Sequence, residues 1–272
     1  MSATPIPRSL AMTLYGDLDL SWLDELPPGR SPVATRLCPV AREDEVWRRV
    51  AELLRAGRQG YVVYPVIDET EGADRRAATA EFERLAAGPF RDFRVGLLHG
   101  RLKAAEKQAA MADFAGGRLD LLVATTVVEV GVDVPNAAVM VIHHPERFGL
   151  AQLHQLRGRV GRGRDQAECW LLMPDWTAPE TRERIEFFAS HHDGFRLAEE
   201  DLRRRGPGDL LGTRQHGEPG FRLANPLRDA ATVRAVAEDV AGLLAADPGL
   251  ASAEGRRLRA VLQAGWASLL PA

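Results

Sequence analysis

The run QLHQLRGRVGRGR, Gln152 to Arg164, carries four arginines within eight positions, spaced by Gly158, Gly161 and Gly163. Guanidinium forks match the paired oxygens of a phosphate. Glycine lets a backbone approach a ligand closely. A solvated charge run would mix Lys with Glu and would have no use for three glycines. The stretch reads as a phosphate grip, with an exposed basic helix end as the plainer alternative.

Two other stretches carry polar groups where an α/β protein binds ligands. ATTVVEVGVDVP, Ala124 to Pro135, follows an apolar run. Thr125 and Thr126 bring hydroxyls and N–H groups to a strand-to-helix turn, which suits an anion. Gly131 permits a tight reversal, and Asp133 can accept a hydrogen bond from a ribose hydroxyl. LLHGRL, Leu97 to Leu102, follows a second apolar run. All three stretches are expected in the crevice at the carboxyl ends of parallel strands. YVVYPVIDET ends an apolar run in Asp68-Glu69, as does the metal-holding carboxylate of a nucleotide hydrolase. That role needs an upstream phosphate loop, yet no G-x-x-x-x-G-K-[ST] occurs, and neither Lys103 nor Lys107 follows a glycine. Asp68-Glu69 is therefore read as a strand-end turn.

The elements needed to hold these stretches are legible from periodicity. Val33–Cys38, Gln59–Ile67, the run FRVGLLHG, LDLLVAT, AAVMVIHH and ECWLLM are expected strands. Glu43–Arg55, with a cap near Gly57, Glu81–Ala87 and Lys103–Phe114 are expected helices between them. The alternation predicts an α/β fold with a parallel sheet flanked by helices. Beyond Pro174 the strand pattern stops. Pro179–Arg205 reads as helical with a break near Asp193-Gly194, and Ala230–Ala245 and Ala251–Ala264 as further helices. At the other end, Ser9–Leu14 reads as a short helix, Leu18–Leu26 as a strand and PPGRSP as a linker.

Composition narrows the function classes. With 272 residues, 45% hydrophobic, the chain has ample material for a core, and a net charge of −3 excludes a histone-like basic protein. Nucleic-acid contact must come from local patches. Cys38 and Cys169 lack metal-ligand spacing and suit a reducing cytoplasm. His143-His144 and His191-His192 are adjacent pairs with no third ligand near in sequence, so no metal site is expected. No segment has the length of a membrane span.

SATPIPR, VGLLHGRLKAAEK, LLVATTVVEVGVDVPNA and FGLAQLHQLRGRVGRG resemble motifs III to VI of superfamily 2 helicases. More narrowly, SATPIPRSLAMTLYGDLDL, DELPPGR and DGFRLAEEDLRRRGPGDLLGTRQHG are similar to the RecG family of ATP-dependent DNA helicases, from Ser2 to about Gln215. The resemblance implies a RecA-like fold in three parts. Residues 1–26 would be the tail of a first RecA-like domain, 27–175 the second, and 176–272 a helical translocation hairpin with a C-terminal module. It implies ATP as cofactor, with Mg²⁺ held by the first RecA-like domain rather than by this chain. It implies branched or duplex DNA, such as stalled forks in recombination and repair, and the N-terminal half of the helicase as partners, with no membrane, in a cytoplasmic, nucleoid-associated protein.

The same resemblance assigns roles. Arg159 and Arg162 stand as arginine fingers, and Gly131, Asp133 and Gln155 as nucleotide-binding residues. Thr125 stands near the DNA backbone. Ser2 and Thr4 of motif III, with Arg184, Arg205 and Gln215 of the hairpin, are coupling or DNA-binding positions. Arg204 departs from an apolar family position, and His216 from Ser or Thr. The phosphate loop and the DExH carboxylates are not in the sequence, so the chain is expected to hold half of a composite ATP site and to be inactive alone. Two other readings are a translocase of the transcription-repair coupling type, which shares motifs V, VI and the hairpin, and a truncated DNA-binding remnant without ATPase activity.

Overall fold

The computed structural model describes residues 32–65, 73–125, 134–163, 166–205 and 230–266. The expected helix and strand before Pro27, the PPGRSP linker up to Ser31 and Asp68-Glu69 lie outside the described residues.

Six strands form one sheet: β1 (Ala34–Pro39), β2 (Gln59–Val63), β3 (Val95–Leu98), β4 (Leu121–Ala124), β5 (Ala137–His143) and β6 (Glu168–Met173). Their order is β1-β6-β5-β2-β4-β3, and every pairing is parallel. The central strands are buried along their whole length, as apolar runs covered on both faces must be. The described part of β2 is shorter than the apolar run. Tyr64 still donates to Ala124 O, but Pro65 has no N–H to continue the ladder.

The helices are α1 (Glu43–Arg55), α2 (Ala73–Ala87), α3 (Ala104–Ala115), α4 (Leu150–Arg157), α5 (Pro179–Ser190) and α6 (Gly194–Arg205), then α7 (Ala230–Ala246) and α8 (Ala253–Trp266). In α1, Val46, Trp47, Val50, Ala51 and Leu54 repeat at helical spacing and are all buried. Three acidic residues sit in its first turn, where the helix dipole favours them. It stops at Gly57, φ +79°, where Gly57 N–H donates to Leu54 O and Arg58 N–H to Leu53 O. The helix expected over Glu81–Ala87 begins earlier, at Ala73, because its alanine-rich first turns carry little apolar periodicity to read. Helix α4 is an element that the strand-and-helix alternation alone leaves unassigned.

The two faces of the sheet carry separate cores. Val62, Val123, Val139 and Val141 point to one, with the inner face of α1, Leu85 and Phe90. Tyr61, Leu122, Met140, Ile142 and Leu171 point to the other, with Met111 and Phe114 of α3, Leu150, Leu153 and Leu156 of α4, Ile185 and Phe188 of α5, and Leu197 of α6. This compact unit includes α5 and runs to Arg204 in α6. Helices α7 and α8 belong to a second unit. There, Asp247 accepts from the N–H groups of Ala251 and Ser252, and Ser252 Oγ accepts from Gly255 N–H to cap α8. Among the described residues no helix is long and apolar enough to cross a membrane.

Candidate functional site

Helix α4 delivers the arginine stretch. At its start Gly149 N–H donates to Gln152 Oε1 at 3.1 Å, and Leu150, Leu153 and Leu156 anchor it on the sheet. It runs from the carboxyl end of β5 back along the sheet. After its last turn, Gly161 N–H donates to Ala137 O, the first residue of β5, at 3.3 Å. The arginine stretch therefore lies at the amino edge of the sheet, not in the carboxyl-end crevice where the sequence places it. The cause is connection geometry: a helix that returns from a strand ends beside the start of the next.

Two of the glycines have a packing reason within the protein. Gly161 has φ +74°, and a Cβ there would stand 2.9 Å from Val33 Cγ2. A Cβ on Gly163 would stand 2.7 Å from Pro135 O. Both serve the close approach of the stretch to its own protein. The Gly163 approach seats the stretch against Pro135, two residues beyond Asp133 in the chain. Gly131, Asp133 and Arg164 lie outside the described residues. Gln155 is half-buried on α4, one turn before the half-buried Arg159. Arg162 is exposed, and its Nε donates to Gly158 O at 3.1 Å, which orients the guanidinium.

The remaining described arginine of the stretch turns inward. Arg157 is 3% exposed. Its Nη1 donates to Phe188 O at 3.0 Å and Thr35 Oγ1 at 3.4 Å, and its Nη2 to His191 O at 2.9 Å. Its guanidinium lies 4.2 Å over the Phe188 ring. Burial brings its pKa down to about 10. It is no part of a phosphate grip. The sequence held the signal, since Arg157 follows Leu150 by seven positions, two turns on the same buried face.

At the opposite, carboxyl edge stand the described beginnings of the other two stretches, Ala124-Thr125 and Leu97–His99. Thr125 follows β4 directly and is buried, with its N–H donated to Leu98 O at 3.1 Å. The N–H expected to meet an anion is thus spent within the sheet. His99 follows β3 and is buried, and Leu102 N–H donates to its carbonyl. On the same edge His143 is held between the rings of Trp47 and Tyr64, at 5.5 and 4.4 Å. Burial, then His144 and Arg84, bring its pKa down to about 3. Its neighbour His144 instead meets Glu146 Oε1 at 2.9 Å. Among the described residues no group of three or more His, Cys, Asp or Glu side chains converges as metal ligands would. The donors of Arg159 and Arg162 are of the kind that phosphate oxygens take.

The hairpin α5–α6 reaches the arginine helix. Arg184 donates from Nη1 to Phe148 O at 2.5 Å and from Nη2 to Glu146 O at 2.9 Å, in the segment that leads into α4. Within the hairpin, Glu200 accepts from Arg203 at 2.7 Å and Arg204 at 2.5 Å, and Arg204 also reaches Glu180 O on α5 at 3.2 Å. The arginine at the family's apolar position thus bridges the two helices. The Arg203 pair, against the effect of burial and with help from Arg204, brings Glu200 down to about 2. Arg205 is the last residue of α6. Its side chain, and Ser2, Thr4 and Gln215, lie outside the described residues.

Comparison with known proteins bears on this arrangement directly. Residues 45–164 match the family described as Helicase conserved C-terminal domain, and 191–264 match ATP-dependent DNA helicase RecG, domain 3, C-terminal. The chain is 51% identical over 240 residues to the ATP-dependent DNA helicase RecG of Thermotoga maritima, covering 88% of this chain and 31% of that protein. The similarity to RecG helicases thus runs over most of this chain. The RecG of Escherichia coli K12 is 53% identical over 234 residues, covering 86% of this chain and 34% of that protein. A solved structure of RecG bound to a three-way DNA junction superposes with a TM-score of 0.70 at 50% identity, covering 86% of this chain and 30% of that one. The chain thus spans about a third of the RecG relatives it matches, over their helicase C-terminal and third-domain parts, and the fold is RecA-like.

Proposed function

We propose that this chain is the second RecA-like lobe and translocation module of an ATP-dependent DNA helicase that remodels branched DNA. The arginine stretch carries the reading. An exposed Arg162 and a half-buried Arg159 stand on a glycine-fixed loop at the amino edge, beside the segment that follows Gly131 and Asp133. The stretches around Thr125 and His99 lie at the opposite edge, so nucleotide and DNA would meet different sides of one rigid sheet. A RecG relative holding a three-way junction supports branched DNA as the substrate class.

In this reading ATP, with Mg²⁺ bound through the first lobe, supplies the phosphoryl group that is transferred to water. Arg159 and Arg162 stabilise charge developing on that group, a role worth several orders of magnitude in rate. Gln155, on the helix that leads into their loop, holds the nucleotide together with Gly131 and Asp133. Ser2, Thr4, Arg184, Arg205 and Gln215 transmit lobe closure to the duplex. DNA is held through its phosphates, so binding is salt-sensitive and sequence-tolerant.

The test is DNA-stimulated phosphate release. The 272-residue chain alone should release none above background, because the sequence carries no phosphate loop. Joined to a lobe that carries one, it should release phosphate on forked DNA. Robust release by the chain alone, abolished by Arg162→Ala, would show that the site is complete without a second lobe and overturn the division of labour.

A further inference from the structure

Among the described residues Arg157 is the one arginine in the buried class, and no carboxylate pairs with it. A buried charge without a counter-charge is costly, and a Met or Leu would fill the same space without that cost. What offsets it here is the end of α5. That helix stops at Ser190, so its last carbonyls have no intrahelical donors. Arg157 takes two carbonyls of this region, Phe188 O and His191 O, and places its charge at the negative end of the helix dipole. Stacking on Phe188 fixes the plane of the guanidinium. The side chain is satisfied only while the last turn of α4 and the end of α5 are docked.

Arg184 grips the same helix pair at the other end. From the middle of α5 it holds Glu146 O and Phe148 O, just ahead of α4. A single anchor would let α4 pivot on α5. Two anchors, before its first turn and in its last, make a shift of α5 into a shift of α4. Arg159 and Arg162 follow the second anchor by two and five residues.

We propose that Arg157 is a positioning residue that locks the arginine stretch to the first hairpin helix, so that the two move as one body; its consequence for translocation rests on the helicase reading above. The lock is testable in the 272-residue chain by hydrogen exchange, which needs no catalytic activity. In Arg157→Met the amides of Arg159–Gly163 and of Phe188–His192 should exchange faster together, by about tenfold, while those of β2 and β5 keep wild-type rates. Arg157→Lys, which keeps a donor but not the fork, should fall between and serves if the Met variant does not fold. A uniform rise across the sheet, or a rise in one segment without the other, would overturn the lock. The second arm uses the chain joined to its phosphate-loop lobe and reads base pairs moved per ATP hydrolysed. That ratio should fall about fivefold in Arg157→Met, with hydrolysis falling less and Arg157→Lys recovering part of the ratio. An unchanged ratio would overturn the transmission. If the joined wild-type protein hydrolyses no ATP, the helicase reading fails, while the exchange arm still decides the lock.

Discussion

Arg157 and Arg162 stand five residues apart in one motif, and the structure puts them to opposite uses. The last turn of α4 presents Arg157 to the protein interior, where three protein oxygens and an aromatic ring absorb its charge. The loop beyond it presents Arg162 to solvent. The difference comes from helix phase. Arg157 continues the buried line of Leu150 and Leu153, whereas Gly158 ends the helix and Gly161 turns the chain at positive φ. Residue type alone cannot divide a run of arginines into buried and exposed members. The phase of the preceding helix can.

The comparison is broken most sharply through Arg162. In the chain joined to its first lobe, Arg162→Ala should lower kcat by about a hundredfold or more with little change in KM. Its melting temperature should stay within a degree or two, because an exposed side chain leaves no hole. Arg157→Met should do the reverse in the isolated chain. Leaving Phe188 O and His191 O without donors should cost about 2 kcal/mol of stability in a denaturant titration, with the midpoint lowered and the slope unchanged.

Gly161→Ala probes the turn that separates the two arginines. An alanine at φ +74° with its Cβ 2.9 Å from Val33 Cγ2 should lower stability by roughly 1–2 kcal/mol, measured the same way. The smallest effect is expected in the hairpin. The Glu200 pKa in the folded chain lies below its ordinary carboxylate value, at about 2. Its contribution is present above about pH 4.5 and is lost as pH falls toward 2. Glu200→Gln should therefore melt below the wild type at pH 6 by the equivalent of about 1 kcal/mol, since Arg203 is largely solvent-exposed, and the gap should close by pH 2.

Much of this architecture was legible from pattern. Helix α1 spans Glu43–Arg55 as its periodicity and Gly57 require, the strands fall on the apolar runs, and the hairpin breaks where Asp193-Gly194 stand. What pattern did not give was the edge on which each stretch lies. Strand and helix runs locate a crevice at the carboxyl ends, but α4 went unassigned, and an unassigned returning helix carries the arginines to the amino edge. The packing need of Gly161 and Gly163 was hidden for a related reason: it comes from Val33 and Pro135, which are distant in sequence. Thr125 shows the same limit, since its N–H is spent on Leu98 across the sheet. The contacts of Arg184 with the segment before α4 are likewise set by the fold, which brings α5 against it. Arg204 looked like a mere departure until Glu200 and Glu180 O supplied its partners.

The central claim is that the outward arginines act on a phosphoryl group through fork geometry and not through charge alone. Arg162→Lys keeps the charge and removes the fork. The deciding measurement is DNA-stimulated phosphate release by that variant joined to its first lobe, with fork DNA affinity measured on the same preparation. The account predicts turnover as low as in Arg162→Ala at wild-type DNA affinity. Near-normal turnover in Arg162→Lys would contradict it.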